Sequence, residues 1–155
     1  MVAAGLAKCS NPIGAALLQA KVTGDFRYVE LEQALHAELL PRAFREGWRV
    51  HRPRTLEGTV RQLLRLALAN FLAPEQCPRC GGRLTVHDRS TRQDKDCPRC
   101  GGAGTIDLTA KEMASELGLT SPAWKKRWAS RYTNVQAWLQ DLYGTAEGDL
   151  TRALR

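Results

Sequence analysis

Cys77-Pro78-Arg79-Cys80-Gly81-Gly82-Arg83-Leu84 returns almost letter for letter as Cys97-Pro98-Arg99-Cys100-Gly101-Gly102-Ala103-Gly104. Two Cys-x-x-Cys pairs separated by residues 81–96 place four soft thiolates at the spacing of a tetrahedral zinc site. In each pair a proline sets the turn after the first cysteine. The glycine behind the second, Gly81 or Gly101, is expected at positive φ, where backbone N–H groups can face the sulfurs. Two disulfides, one redox dithiol or four unrelated buried thiols are the competing readings. A redox pair needs a βαβ context that is not visible here, and disulfides call for a secretory signal, which the sequence lacks. The expectation is one Zn2+ held by Cys77, Cys80, Cys97 and Cys100, in a structural role because a hydrolytic zinc keeps one position open for water. His87 is expected as an exposed strand residue rather than a ligand.

Between the pairs, residues 83–87 alternate as a strand does, residues 88–94 read as a polar turn, and Lys95-Asp96 leads back to the second pair. The result is a β-hairpin clamped at its ends by the metal, without which so small a hairpin is marginal in water.

On the N-terminal side of this insert, residues 55–73 carry the strongest helical signal in that half of the chain. Thr55 can cap, Val60, Leu63, Leu64, Ala67, Leu68, Phe71 and Leu72 draw one apolar stripe, Arg61 and Arg65 face solvent, and Pro74 stops the helix. Further upstream, Ser10-Asn11-Pro12 reads as an N-cap with proline in the first turn of a short helix over residues 13–21. Residues 22–25 are turn chemistry. A second helix follows with Val29, Leu31, Leu35, Leu39 and Leu40 as core contacts, kinked or ended by Pro41. Residues 42–54 then hold Arg42, Arg45, Arg49, Arg52 and Arg54 against the single acid Glu46, beside Trp48 and His51. This stretch is either a solvated loop between helices or a contact to phosphate or to an acidic protein surface.

On the C-terminal side, Thr109 and Glu112 form a capping box, Ala114 is small where another helix would cross, Gly118 marks a turn, and Ser121-Pro122 restarts a helix. That is a helix-turn-helix pattern, with a helical hairpin carrying a solvated basic face as its plainer reading. The buried stripe of the second helix is Trp124, Trp128, Tyr132, Val135 and Leu139, with Trp138 at its edge. The opposite face is centred on Lys126, with Ser130 and Thr133 beside it and Lys125 and Arg127 on its shoulders. Ser121, Lys125, Lys126, Arg127, Ser130 and Thr133 are the candidate DNA contacts.

The fold expected is therefore mainly α: a helical body with an inserted four-cysteine zinc ribbon and a C-terminal helix-turn-helix. The expected segments are residues 1–76, 77–104 and 105–155, the outer two packing as one unit. With 155 residues the chain can bury a modest core, and 23 basic against 16 acidic side chains make an anionic partner plausible. No apolar run approaches bilayer-spanning length and no secretory signal is visible, so a soluble, cytoplasmic protein is expected. Cys9 reads as a free thiol in a reducing compartment.

The order of these parts resembles the late-gene antitermination protein Q family of lambda-like bacteriophages. A long apolar helix precedes a CxxC…CxxCxGxG insert, and a basic segment with Thr120-x-Pro122-x-Trp124 and then Tyr132 follows it. The similarity runs from about Thr55 to Arg155 and departs from the pattern where the first knuckle continues Arg83-Leu84 instead of supplying a second glycine. It implies a transcription factor of the bacterial host cytoplasm that binds double-stranded DNA at a late promoter. It also implies that the factor engages a paused host RNA polymerase containing its sigma factor, and travels with the enzyme past terminators. The four cysteines carry over as zinc ligands and the helix-turn-helix segment as the DNA reader. Arg42, Arg45, Arg49, Arg52, Arg54, Arg89 and Arg92 are candidate polymerase or phosphate contacts. Neither a membrane nor a small-molecule substrate is expected. A zinc-containing helix-turn-helix repressor or activator shares every motif. A DnaJ-like zinc chaperone fragment shares only the knuckles, with two repeats in place of four and no His-Pro-Asp. Catalysis is not expected, since His36, His51 and His87 are scattered singly.

Overall fold

Asn11 starts the first helix, its side-chain oxygen accepting the N–H groups of Ile13 and Gly14 at 2.9 and 3.1 Å. The computed structural model describes residues 10–24, 28–50, 53–73, 77, 79–88, 90–106 and 108–155. Cys9, His51, Arg52, Pro74 and Arg89, all singled out above, lie outside them. Helix α1 spans Pro12–Thr23, α2 Tyr28–Arg45 and α3 Leu56–Leu72. Thr55 caps α3 by accepting the Gly58 N–H at 3.1 Å, and the expected stripe from Val60 to Leu72 is buried along its length.

Two expectations for α2 need correction. Val29 is 67% exposed, while Leu31, Leu35 and Leu39 are buried and Leu40 is half-buried. Pro41 does not end the helix, which continues to Arg45. A proline inside a helix costs about 3 kcal/mol. Burial of Leu39 and Ala43 on either side offsets it. The true end is a Schellman motif, with the Trp48 N–H donating to Ala43 and the Gly47 N–H to Phe44. Arg42 and Arg45 consequently belong to α2 rather than to a loop.

The insert forms strands β1 (Thr85–Asp88) and β2 (Gln93–Asp96), antiparallel, with Thr85 opposite Asp96 and Asp88 opposite Gln93. The strand begins two residues later than the alternation suggested because Leu84 sits at φ 72°. β2 starts at Gln93, inside the expected turn, after Arg92 at φ 55°. Cys77, Cys80 and Cys97 make a small core of their own with Val86, Cys100 and Ile106, separate from the helical core.

Beyond the insert, α4 (Ala110–Glu116) has both halves of its capping box in place. It ends in a second Schellman motif, Leu119 N–H to Ala114 and Gly118 N–H to Ser115, with Gly118 at φ 58°. Thr120 then caps a continuous run of helix: α5 (Ser121–Ala123), a π-helical turn (Trp124–Trp128) and α6 (Ala129–Ala153). The π turn has a physical reason in the sequence. Residues repeating every fourth position drift about 40° per step around an α-helix. Trp124, Trp128 and Tyr132 repeat in that way, and the wider turn takes up the drift so that all three reach the core.

Helix α6 packs on α1 and on α3, α3 on α2, and α2 on α1, so the four long helices close a ring around one core. That core joins Leu17 to Leu72 from the first half of the chain with Met113 to Leu142 from the last third. The α1–α6 contact depends on Gly14. A Cβ there would lie 2.7 Å from the Leu142 carbonyl oxygen and 3.3 Å from the Ala146 methyl.

Candidate metal centre and basic surface

The two knuckles hold each other in a reciprocal pattern. The Cys77 N–H donates to the Gly104 carbonyl and the Cys97 N–H to the Leu84 carbonyl, each at 2.9 Å. Leu84 and Gly104 are the seventh residues after their respective first cysteines. Both are left-handed, at φ 72° and 75°. Leu84 thus occupies the place where the second repeat has glycine, and takes the same backbone conformation. Gly81 and Gly101 are at φ 57° and 59°, as expected, and close the tight turns onto Cys77 and Cys97 at 2.7 and 2.8 Å.

This frame brings all four Sγ atoms within 4.8 Å of one another, with none in a disulfide. Cys77 and Cys97 approach to 3.8 Å, as do Cys80 and Cys100. A tetrahedron with metal–sulfur bonds of about 2.3 Å has sulfur–sulfur edges of about 3.8 Å, which the Cys77–Cys97 and Cys80–Cys100 separations match. Burial pushes the Cys77 thiol up. The backbone N–H groups of Cys80 and Arg79, with the neighbouring Cys97 and Cys80 thiols, outweigh it and bring it down to about 7. Cys100 is held above the ordinary thiol range by burial, although its sulfur accepts the Gly104 N–H at 3.3 Å. His87 stays outside, exposed on β1 with Nδ1 3.0 Å from Asp94. The cluster can hold a metal ion, and with four protein ligands it leaves no open position for a reacting water.

The second candidate surface lies on the π turn. Lys125, Lys126 and Arg127 are all exposed while Trp124 and Trp128 are 2% exposed. Ser130 and Thr133 are also exposed, but their hydroxyls donate back to the Arg127 and Ala129 carbonyls at 3.4 and 3.1 Å. Thr133 also lines a separate cavity at the α3 seam with Asn70, Tyr132 and Gln136. Ser121 is half-buried at the start of α5.

Among the described residues, Arg42, Arg45, Arg49 and Arg54 do not form one group. Arg42 pairs with Glu46 at 2.7 Å, Glu46 also accepts the Trp48 indole N–H at 2.9 Å, and these bonds hold its carboxyl below the usual range. Arg45 is exposed at the end of α2, and Arg92 is exposed in the hairpin turn. Arg49 and Arg54 join Arg127 instead, around a cavity of about 200 Å³.

Sequence reasoning overlooked Arg131. Its guanidinium lies 4.8 Å from the Trp48 ring centroid and 4.6 Å from that of Trp128, which meet edge to face at 5.8 Å. Its buried Nη1 has no hydrogen-bond partner among the described residues. The one available signal was an arginine four positions after Arg127 in an otherwise apolar-striped helix. Also overlooked was the Tyr132 hydroxyl, which accepts from Asn70 at 3.0 Å and Gln136 at 2.9 Å and ties α6 to α3.

Neither a protein-family model nor a curated protein matches this chain. No helix among the described residues is long and apolar enough to cross a membrane.

Proposed function

We propose that this protein is a phage transcription antitermination factor. In this reading it binds double-stranded DNA at a late promoter, loads onto a paused host RNA polymerase with its sigma factor and enables read-through of terminators. The observation that carries the reading is the order of parts that resembles the antitermination Q family. A paired-knuckle insert is followed by the Thr120-x-Pro122-x-Trp124 segment, whose tryptophans are buried while Lys125, Lys126 and Arg127 face outward. Residues 110–139 act as a helix-turn-helix, α4 bracing the helix that starts at Ser121. One Zn2+ bound by Cys77, Cys80, Cys97 and Cys100 is structural and fixes the hairpin near the start of α4. The protein works in the host cytoplasm.

Physical considerations support a factor with two partners. One short basic turn offers limited base readout, about 1–3 kcal/mol for each good bidentate pair. Affinity then leans on salt-sensitive phosphate contacts and on a second surface held at the same time. Lys126→Ala should weaken DNA binding and make its salt slope shallower by about one, with folding intact. Unchanged affinity and slope would mean that this turn faces something other than DNA. The functional test is single-round transcription through an intrinsic terminator placed downstream of the native late promoter or of an unrelated one. Read-through from the native promoter alone is expected. Read-through on neither template with DNA binding intact would replace the proposal by an ordinary repressor or activator.

A further inference from the structure

The cavity beside the π turn gathers charge from two distant parts of the sequence. Arg49 and Arg54 come from the segment after α2 and Arg127 from the π turn, and among the described residues no acid lines the space between them. Among the described residues, none of the three has an ion-pair partner, whereas Arg42, Arg61, Arg65 and Arg152 each have one. Arg54 is held in place. Its Nη1 donates to the Leu117 carbonyl, where α4 ends, and its guanidinium lies so close over Gly118 that a Cβ there would collide with both terminal nitrogens. Trp128, itself buried, lines the cavity beside Arg127 and is stacked by Arg131. Arg131 is pushed below the ordinary arginine range, first by burial and then by Arg127, with Glu46 acting against both.

We propose that Arg49, Arg54 and Arg127 form one pocket that clasps a backbone phosphate of double-stranded DNA. The segment after α2 and the helix that starts at Ser121 would then grip the same duplex. This deepens the DNA-binding reading and rests on it; of the two contacts expected for Arg49 and Arg54, polymerase or phosphate, it selects a phosphate of DNA. Three chemical arguments favour a phosphodiester. Planar guanidinium forks match phosphate oxygens bidentately. The cavity is smaller than the 300–1,000 Å³ typical of small-molecule sites, yet has room for one phosphate. The three exposed arginines border a concavity, which suits a projecting phosphate. Arg54 is already fixed by Leu117, so less side-chain freedom is lost on binding.

The test is a double-mutant cycle on Arg49→Ala and Arg127→Ala in the full chain, read as the affinity for a short mixed-sequence DNA duplex across about 50–200 mM salt. Both side chains are exposed, and unchanged circular dichroism and melting confirm that the variants fold. Each single substitution should weaken binding by roughly tenfold or more. The double variant should lose less than the product of the two, because both arginines hold one phosphate. If Arg127→Ala weakens binding while Arg49→Ala changes neither affinity nor salt slope, the pocket is refuted and the DNA-binding reading stands. Losses that simply multiply would mean independent contacts and would equally overturn the shared pocket. A wild-type protein that binds no duplex at these salt concentrations would remove both proposals together.

Discussion

The helical body and the knuckle unit hold themselves together by different physics. The body buries Leu35, Leu63, Leu64, Leu68, Val135 and Leu139 almost completely, and its helices touch in a closed ring. Apolar burial at about 25 cal/mol per Å2 is enough to stabilise such a core. Among the described residues, the aliphatic side chains packed on the buried cysteines of the knuckle unit are Val86 and Ile106; the rest of its centre is sulfur. Both strands are four residues long and β2 is exposed throughout. A region with so little apolar surface needs another source of stability, and a metal ion held by the four cysteines, as proposed above, would supply it. The two regions of this one chain should therefore answer differently to the same kind of perturbation.

The sharpest test of this division is removal of one ligand. Structural zinc in small domains contributes about 10–16 kcal/mol at neutral pH. Cys97→Ser should therefore abolish stoichiometric metal and collapse the hairpin signals in an amide NMR spectrum, while the helical circular dichroism stays close to wild type. Acidification should act in the same direction, since protons compete with metal for thiolates as pH falls. Metal content near zero in folded, reduced wild-type protein would sink the coordination account, and loss of the helices along with the hairpin would show that the two regions are not independent.

The converse perturbation is Trp128→Ala. Emptying this buried ring should cost about 3–5 kcal/mol of global stability. It also removes the stacking surfaces of Arg131 and Trp48. Denaturant unfolding followed by helical signal should show the loss, with metal retained until the body unfolds.

Gly14→Ala sharpens the account of the ring closure. The added methyl would push against the Leu142 carbonyl, and overpacking of this kind typically costs about 1–3 kcal/mol. Melting temperature should fall. No change would mean that α1 can move away from α6 freely and that the ring is not closed at this contact.

The smallest expected effect is a gain. Leu84 is 48% exposed and holds a left-handed conformation that costs a non-glycine residue about 1–2 kcal/mol. Leu84→Gly removes that strain at an unfolded-state entropy cost of about 0.5–1 kcal/mol, so the knuckle unit should gain a few tenths of a kcal/mol up to about 1. Slower metal transfer to a chelator would report it. Faster transfer would mean that the Leu84 side chain, which lies over Gly104 so closely that a Cβ there would meet its Cδ2 at 2.6 Å, matters more than its backbone strain.

The features legible in the chain are those that short-range chemistry encodes. Asn11, Thr55 and Thr109 cap helices because their side chains reach N–H groups two or three residues on. The stripe from Val60 to Leu72 follows helical periodicity, and the doubled Cys-x-x-Cys brings together a thiol cluster that two tight turns suffice to build. Only the tertiary structure decided the rest. Pro41 stays inside α2 because neighbouring burial outweighs a lost hydrogen bond, and Val29 is left on the outer face by the way α2 meets its neighbours. Leu84 becomes left-handed because its carbonyl must reach the Cys97 N–H across the two knuckles. The π turn arises because three aromatic side chains at four-residue spacing must meet one core. Arg49, Arg54 and Arg127 converge, and Arg131 finds two tryptophans, because two Schellman turns redirect the chain after α2 and α4 toward the same place. Periodicity assigns each residue a face on its own helix, but which faces of distant segments meet depends on how the whole core closes.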